Sequence, residues 1–412
     1  MTNLKRAFKY RIYPTEEQEA VLNKRLEESR LLYNLLLDAS IKAYKDDNKR
    51  LLGYDLMKAA LKIRKDKGFI DLNAQSTQNI ADRVTKSFKN FFRRVKDGKR
   101  GKVVGYPRFK QFGRYESMTF PQYSNGFKLL DENLLSVSKL GIFKIKYLKD
   151  IDGKLKTLTL KKEATGNWYA VMICEGCAIK RQMTESEKAV GIDVGIDSII
   201  ATSEGTKIAN PKILQRSEII LDRRHRQLSK KQKGSKNRNK ARIKLAKVYS
   251  RISKERETFI HGLTNKLTGE YKIIVLEKLQ INNMVKNHRL SKSINDASWG
   301  ELARQLSYKA EEAGSIFLQV DPKDTSKKCS ECGWKDEDQT LADRIFKCKN
   351  CGLELDRDIN ASKNILKIGL NTLSRREINA YGDESSTTKA AATIANEIGK
   401  SRSGHICRFR DY

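Results

Sequence analysis

The sequence contains no apolar run near the roughly 18 residues that a membrane-crossing helix requires. Its opening stretch, "MTNLKRAFKYRIYP", lacks the apolar core of a secretory leader. Both absences point to a cytoplasmic, nucleoid-associated protein with no membrane partner. No internal repeat recurs at a solenoid period, so a stacked-repeat architecture is not expected. Acids are scarce: 50 aspartates and glutamates face 83 lysines and arginines, for a formal charge of +33. That field favours a polyanion, with nucleic acid the commonest candidate. At 412 residues and 39% hydrophobic, the chain still has ample material for two or three domains. Its seven cysteines are an odd number, four of them in regular CxxC spacing, which fits metal thiolates in a reducing compartment better than a disulfide framework.

Along the chain, Phe8, Tyr10 and Ile12 alternate with Lys9 and Arg11, as in a half-buried strand that Pro14 ends. Thr15 and Gln18 form a capping-box pattern, after which Leu22, Leu26 and Leu36 keep helical spacing to about residue 45. A second helical block runs through "SFKNFFRRV". From residue 115 the texture changes to short alternating segments, "GIFKIKYL", "LKTLTLKKE" and "NWYAVMICE", read as a β-domain that recruits the first strand and leaves the helices as an insertion. From residue 187, "KAVGIDVGIDSIIATSEGTKIA" reads as a strand meander. Two basic helices meeting near Gly234, a buried strand "YKIIVLEKL", a helix from Trp299 to the C-capping Gly314, the strand "SIFLQV" and a last helix from about Asp358 to Leu370 complete the pattern.

Cys329, Cys332, Cys348 and Cys351, each pair followed by glycine, match a zinc ribbon: two knuckles present four thiolates, and a closed tetrahedron of this kind is structural rather than catalytic. Cys174 and Cys177 form a further CxxC without a second pair nearby and read as reduced thiols. Three acids remain. Strand alternation places Asp193 on a face shared with Ala189, Gly191 and Gly195, small neighbours that leave room for a metal ion and a phosphate backbone. Glu277 ends an apolar central strand, where an acid needs a partner or a cation. Asp358 starts the helix behind the ribbon. Oxygen ligands suit Mg²⁺, two ions about 4 Å apart support phosphodiester cleavage, and a strand Asp, a central-strand Glu and a helical Asp are what an RNase H-like fold supplies.

The series "GIDVGI", "LEKL", "DPKDTSKKCSECG", "CKNCG" and "DRDINAS", with "FKYRIYPTEEQ", "SFKNFF" and "GYPRFK" before it, resembles the TnpB family of transposon-encoded RNA-guided nucleases, relatives of the type V CRISPR effectors. The resemblance implies an α/β multidomain protein: an RNase H-like RuvC nuclease domain with an inserted zinc ribbon, plus a wedge-type β-barrel with an inserted helical recognition domain. The expected division is wedge 1–13 and 115–186, helical recognition 14–114, RuvC 187–328 and 355–372, ribbon 329–354, and a partly disordered tail 373–412. It implies cleavage of double-stranded DNA beside a short flanking motif, with a guide RNA and target DNA as partners, two catalytic Mg²⁺ and one structural Zn²⁺. The catalytic acids fall on Asp193, Glu277 and Asp358, leaving Asp356 a neighbour and Asp197 and Asp321 turn or surface acids. By position, Gln78, Asn79, Gln122 and Tyr123 are candidates to read the flanking motif.

Between Arg223 and Arg256 lie fifteen basic residues and, among acids, only Glu255. Arg223, Arg224, Arg226, Lys230, Lys231, Lys233, Lys236, Arg238, Lys240 and Arg242 are the candidates to line the RNA path. A CRISPR-associated effector of the same ancestry and a guided DNA-binding repressor without cleavage are the alternatives. No constellation singles out one of the fifteen tyrosines as a transposase nucleophile.

Overall fold

The computed structural model describes residues 5–98, 104–131, 133–146, 151, 153–176, 184–340 and 343–379. The chain divides into two compact units, residues 1–179 with 242–247, and 180–241 with 248–412.

In the first unit, β1 (Lys5–Tyr13) leads into three helices, α1 (Glu16–Asp47), α2 (Tyr54–Asp66) and α3 (Ala74–Lys96). Thr15 caps α1 as its sequence predicts: its hydroxyl accepts from the Gln18 N–H at 3.2 Å, and the Gln18 side chain accepts from the Thr15 N–H at 3.1 Å. Six strands follow: β2 (Ser117–Phe120), β3 (Phe127–Asp131), β4 (Leu134–Val137), β5 (Gly141–Ile145), β6 (Lys154–Lys162) and β7 (Trp168–Glu175). They form one antiparallel sheet with β1, in the order β2-β6-β7-β1-β5-β4-β3. β1 is therefore an interior strand of a sheet otherwise built more than a hundred residues later, and the helices are an insertion. The hydrogen-bonded order runs from β2 at one end to β3 at the other, a nearly closed sheet. Tyr10, Ile12, Phe120, Phe143 and Trp168 from the sheet share one core with Leu22, Leu36, Val84 and Phe88 from the helices. Helix α2 and strands β2 to β4 escaped the sequence pattern because each is short and half polar.

The second unit begins with the antiparallel meander β8 (Ala189–Asp193), β9 (Ser198–Thr202) and β10 (Lys207–Ala209). Helices α4 (Ile213–Arg216), α5 (Glu218–Ser229) and α6 (Lys236–Glu270) lead to β11 (Ile273–Glu277), and α7 (Ile281–Met284), α8 (Ser291–Ala297) and α9 (Trp299–Ala313) to β12 (Ile316–Val320). After the cysteine ribbon with β13 (Ile345–Lys347) and β14 (Glu354–Asp356) comes α10 (Arg357–Asn379), longer than its sequence pattern implied. The main sheet has the order β10-β9-β8-β11-β12, with β8, β11 and β12 parallel. Alternation along the central strands sorts the two faces. Val190, Ile192, Ile274 and Leu276 pack with α6, α8 and α9, whereas Ile273 and Val275 pack with Ile365, Leu366 and Leu373 of α10.

Gly191 decides how closely α10 can approach. A Cβ there would lie 2.1 Å from the Ser362 carbonyl oxygen and 2.6 Å from the Leu366 nitrogen, and one at Gly369 would lie 2.4 Å from Val275 Cγ2. The small face of "GIDVG" thus receives a helix backbone at Gly191, not the metal and phosphate its pattern was read to accommodate. Gly191→Ala is expected to destabilise the second unit by about 3 kcal/mol, the upper range of core overpacking, because backbone rather than a flexible side chain blocks it. Denaturant melts check this, and a wild-type midpoint would refute the seam.

Candidate active site

β8 and β11 run parallel and end side by side, since Ile192 pairs with Leu276. One residue further, Asp193 and Glu277 stand on the face toward α10, at the carboxyl ends of both strands. From β8 the chain turns one way into β9 and β10, while β11 and β12 lie on the other side. The two acids therefore sit at the topological switch point, where open α/β sheets bind ligands. Glu277 is 8% exposed, and its carboxylate accepts from the Val194 N–H at 3.3 Å. Burial pushes Asp193 well above the usual carboxylate range, reinforced by the charges of Glu277 and Asp358. Burial likewise pushes Glu277 up to about 7, against the pull of the Val194 N–H and Asp193. Both carboxyls thus hold their protons to higher pH than free carboxyls do, as expected when two acids are forced together without a cation.

Asp358 arrives from the opposite direction, in the first turn of α10. Asp356 caps that helix, its carboxylate accepting from the N–H groups of Asp358 (3.0 Å) and Ile359 (3.2 Å). The amine of Lys207 bridges Asp356 and Asp358 at 2.7 and 2.9 Å. Asp197 pairs with Lys212 at 3.3 Å and Arg344 at 3.1 Å, and Asp321 accepts from the Lys323 N–H at 3.0 Å in a turn, so both act as the turn and surface acids expected.

The four ribbon sulfurs all lie within 4.8 Å of one another, with Cys329–Cys351 at 3.6 Å and Cys332–Cys348 at 3.5 Å. A tetrahedron with metal–sulfur bonds of about 2.3 Å has sulfurs about 3.8 Å apart, so the cage is the right size for an ion. Gly333 (φ 78°) and Gly352 (φ 74°) take the left-handed turns that let each knuckle close, with N–H groups on the Cys329 and Cys348 carbonyls. The Asn350 side chain and the Trp334 N–H pull the Cys332 thiol down to about 6, while burial pushes the Cys329 thiol up.

Two asparagines that the sequence pattern left without a role join this ribbon to α10. Asn360 accepts from the Ser330 N–H at 2.9 Å and donates to the Lys328 carbonyl at 2.8 Å, and Asn364 donates to the carbonyls of Thr325 and Lys328. The i, i+4 spacing inside "DRDINASKN" was the available signal. Lys367 adds a bond to the Ser330 carbonyl.

In the first unit, a 2.7 Å bond from Gln75 to Gln122 and one of 3.0 Å from Ser76 to the Thr119 carbonyl bring the start of α3 to the β2–β3 turn. Gln78, Asn79, Gln122 and Tyr123 lie on these two segments. Gln78 and Gln122 are exposed, Asn79 accepts from Arg83 at 3.0 Å, and Tyr123 stands edge-on to Phe127. Of the basic candidates, Arg223, Arg226, Lys230, Lys231, Lys233, Lys236, Lys240 and Arg242 are exposed. Arg224 bonds Gln227, and Arg238 has a structural task, bonding the Leu228 and Lys231 carbonyls across the α5–α6 turn at Gly234. Cys174 is disulfide-bonded rather than reduced as its sequence reading expected. Cys177 and the tail beyond residue 379 lie outside the described residues. Among the described residues no helix is long and apolar enough to cross a membrane.

Three family models match this chain: a helix-turn-helix domain (residues 1–49), the OrfB_IS605 "Probable transposase" (172–288) and a Cas12f1-like TNB domain (299–365). The first of these regions is here a strand and one long helix. A protein of Streptomyces pristinaespiralis described as "Putative RNA-guided DNA endonuclease" is 34% identical over 380 residues, 90% of each chain. The protein InsQ of Escherichia coli K12, described in the same words, is 28% identical over 88% of this chain and 92% of its own. The solved structure of a Cas12f1–sgRNA–target DNA complex shares the fold at a TM-score of 0.54 and 14% identity, covering 89% of this chain and 99% of that one. The architecture is multidomain α/β with a zinc-ribbon-like module. The chain belongs to the TnpB family.

Proposed function

We propose that this protein is a transposon-encoded RNA-guided endonuclease that cleaves double-stranded DNA beside a short flanking motif. The observation that carries the reading is the pair Asp193 and Glu277 at the carboxyl ends of adjacent parallel strands, at the switch point of the β10-β9-β8-β11-β12 sheet, with the charge of Asp358 at the start of α10 felt at Asp193. An RNase H-like RuvC domain would carry its acids in this way. In this reading residues 1–13 and 115–186 form the wedge, 14–114 the recognition insertion, 187–328 with 355–372 the nuclease, and 329–354 the ribbon.

Asp193, Glu277 and Asp358 would hold two Mg²⁺, and the ribbon cysteines one structural Zn²⁺. A pair of carboxyls raised by burial, with a third acid's charge nearby, fits divalent cations, which cancel the repulsion. Bound there, the metal pair would supply an activated water and charge neutralisation at the leaving oxygen. The chain's own part is positional. The Val194 N–H fixes Glu277, the Asp356 cap fixes the start of α10, and the asparagine contacts with the ribbon hold that helix end in place. The exposed cations of 223–242 would track the guide RNA backbone, while Gln78, Asn79, Gln122 and Tyr123 would meet the flanking base pairs.

The test is to purify the protein with its native locus, sequence the copurifying RNA, and use that RNA in a Mg²⁺-dependent cleavage assay. A discrete RNA with a constant scaffold and a variable end, followed by guided cutting, is the expected result. No enriched RNA, with cleavage of branched DNA by protein alone, would refute the guided reading.

A pH dependence follows. The metal-free folded protein holds the Glu277 proton up to about pH 7, whereas the unfolded chain releases it near 4.5. The stabilisation from this group is full below the unfolded value and is lost as pH rises through the folded one. Mg²⁺ should therefore raise the melting temperature more at pH 8 than at pH 5.5. Its binding near pH 6.5 should release about one proton, measurable by calorimetry in buffers of different ionisation enthalpy. Metal binding without proton release would contradict the raised carboxyls of this site.

A further inference from the structure

The proposed reaction assigns no part to Lys207, yet the fold places it in the same row as the acids. Asp193 pairs with Ala201, and Ala201 pairs with Lys207. The row Glu277–Asp193–Ala201–Lys207 thus crosses four adjacent strands on the face toward α10. Ile208, the next residue, packs on the opposite face. Ala201 is the small member, and a methyl group between acid and lysine leaves the long side chain free to extend over the sheet. With strands about 4.8 Å apart, the Lys207 backbone stands about 10 Å from that of Asp193, and the side chain spans part of the gap. Its amine ends on Asp356 and on Asp358 Oδ2, while Asp358 Oδ1 has Arg357 at 3.4 Å. Both oxygens of the third acid are therefore engaged by the chain's own cations.

We propose that Lys207 is a tethered counter-cation that occupies Asp358 until a divalent metal displaces it, making it a positioning residue that sets the metal affinity of the nuclease site. The proposal rests on the reading of Asp193, Glu277 and Asp358 as a divalent-metal site. Lysine suits the task because its ammonium is a compact point charge on a flexible stem, and a partly exposed pair is weak enough to exchange. Release also gives the amine somewhere to go: a phosphate entering beside the metals would be the next anion within its reach.

The experiment titrates Mn²⁺ into full-length protein without nucleic acid, followed by electron paramagnetic resonance, in wild type, Lys207→Gln, Lys207→Arg and Asp193→Ala. Lys207→Gln is expected to bind Mn²⁺ about tenfold more tightly, since a competing charge is gone, and Lys207→Arg to bind much as wild type. In parallel, an amine-reactive probe read by mass spectrometry should modify Lys207 of the wild type faster once Mn²⁺ saturates the site. This second readout decides the matter should Lys207→Gln not fold. Unchanged or weaker binding by a folded Lys207→Gln, or labelling of Lys207 that ignores Mn²⁺, would overturn the proposal alone. Equal binding by wild type and Asp193→Ala would overturn the metal-site reading and this proposal with it.

Discussion

Asp193→Asn is expected to lower guided DNA cleavage by about 10³-fold or more while leaving guide RNA and target binding within about twofold of wild type, and to raise the melting temperature of the metal-free protein at pH 8. The loss of cutting follows from removing a ligand charge that the reaction requires, about 4 kcal/mol of barrier for each 10³ in rate. Binding persists because phosphate contacts spread over the basic surface supply the affinity. The gain in stability is the more discriminating outcome. Half-buried Asp193 stands beside buried Glu277; burial raises both carboxyls and the charge of Glu277 raises Asp193 further, so a neutral amide of the same shape at position 193 removes a repulsion that grows as pH rises. An inactive variant that is also less stable at pH 8 would mean that Asp193 serves the fold. Glu277→Gln should behave alike, and retained cleavage there would refute the ligand assignment.

Cys348→Ser is expected to abolish bound zinc and to lower cleavage by about 100-fold, although the ribbon contributes no acid to the site. Cys348 is buried with Cys329 and Phe346, so a half-ligated cage cannot keep this small module closed. The damage is expected to travel because residues 325–330 are tied to α10 through Asn360 and Asn364. Loosening that tie lets the helix start, and Asp358 with it, drift from Asp193, and a displacement of about 1 Å can cost about 10²-fold. Asn360→Ala separates the two effects: zinc content should stay at one per chain while cleavage falls as in Cys348→Ser. Metal analysis and cleavage rates check both, and full activity of a zinc-free Cys348→Ser would show that the ribbon and the site are independent.

Much of this was legible without coordinates, where the signal is local. The Thr15–Gln18 cap, the alternation of Phe8, Tyr10 and Ile12, the glycine-flanked CxxC pairs and the apolar run closed by Glu277 each declare themselves within about a dozen residues, because capping, strand alternation and metal-knuckle geometry act over that range. The TnpB motifs then named three acids that no local rule could have joined. Gly191 was read correctly as a demand for space, but a single sequence cannot say what fills the space, and here it is a helix backbone 171 residues further on. Lys207 and Asn360 were invisible for the same reason. A lysine on a short edge strand and an asparagine in a helix carry no signal until the chain folds back and sets one beside Asp358 and the other beneath the ribbon. The sequence by itself determined which chemical groups are available and the class of element that carries each. Only the tertiary structure decided which of them neutralise, space and hold one another, since those relations depend on distances across the sheet that no local pattern encodes.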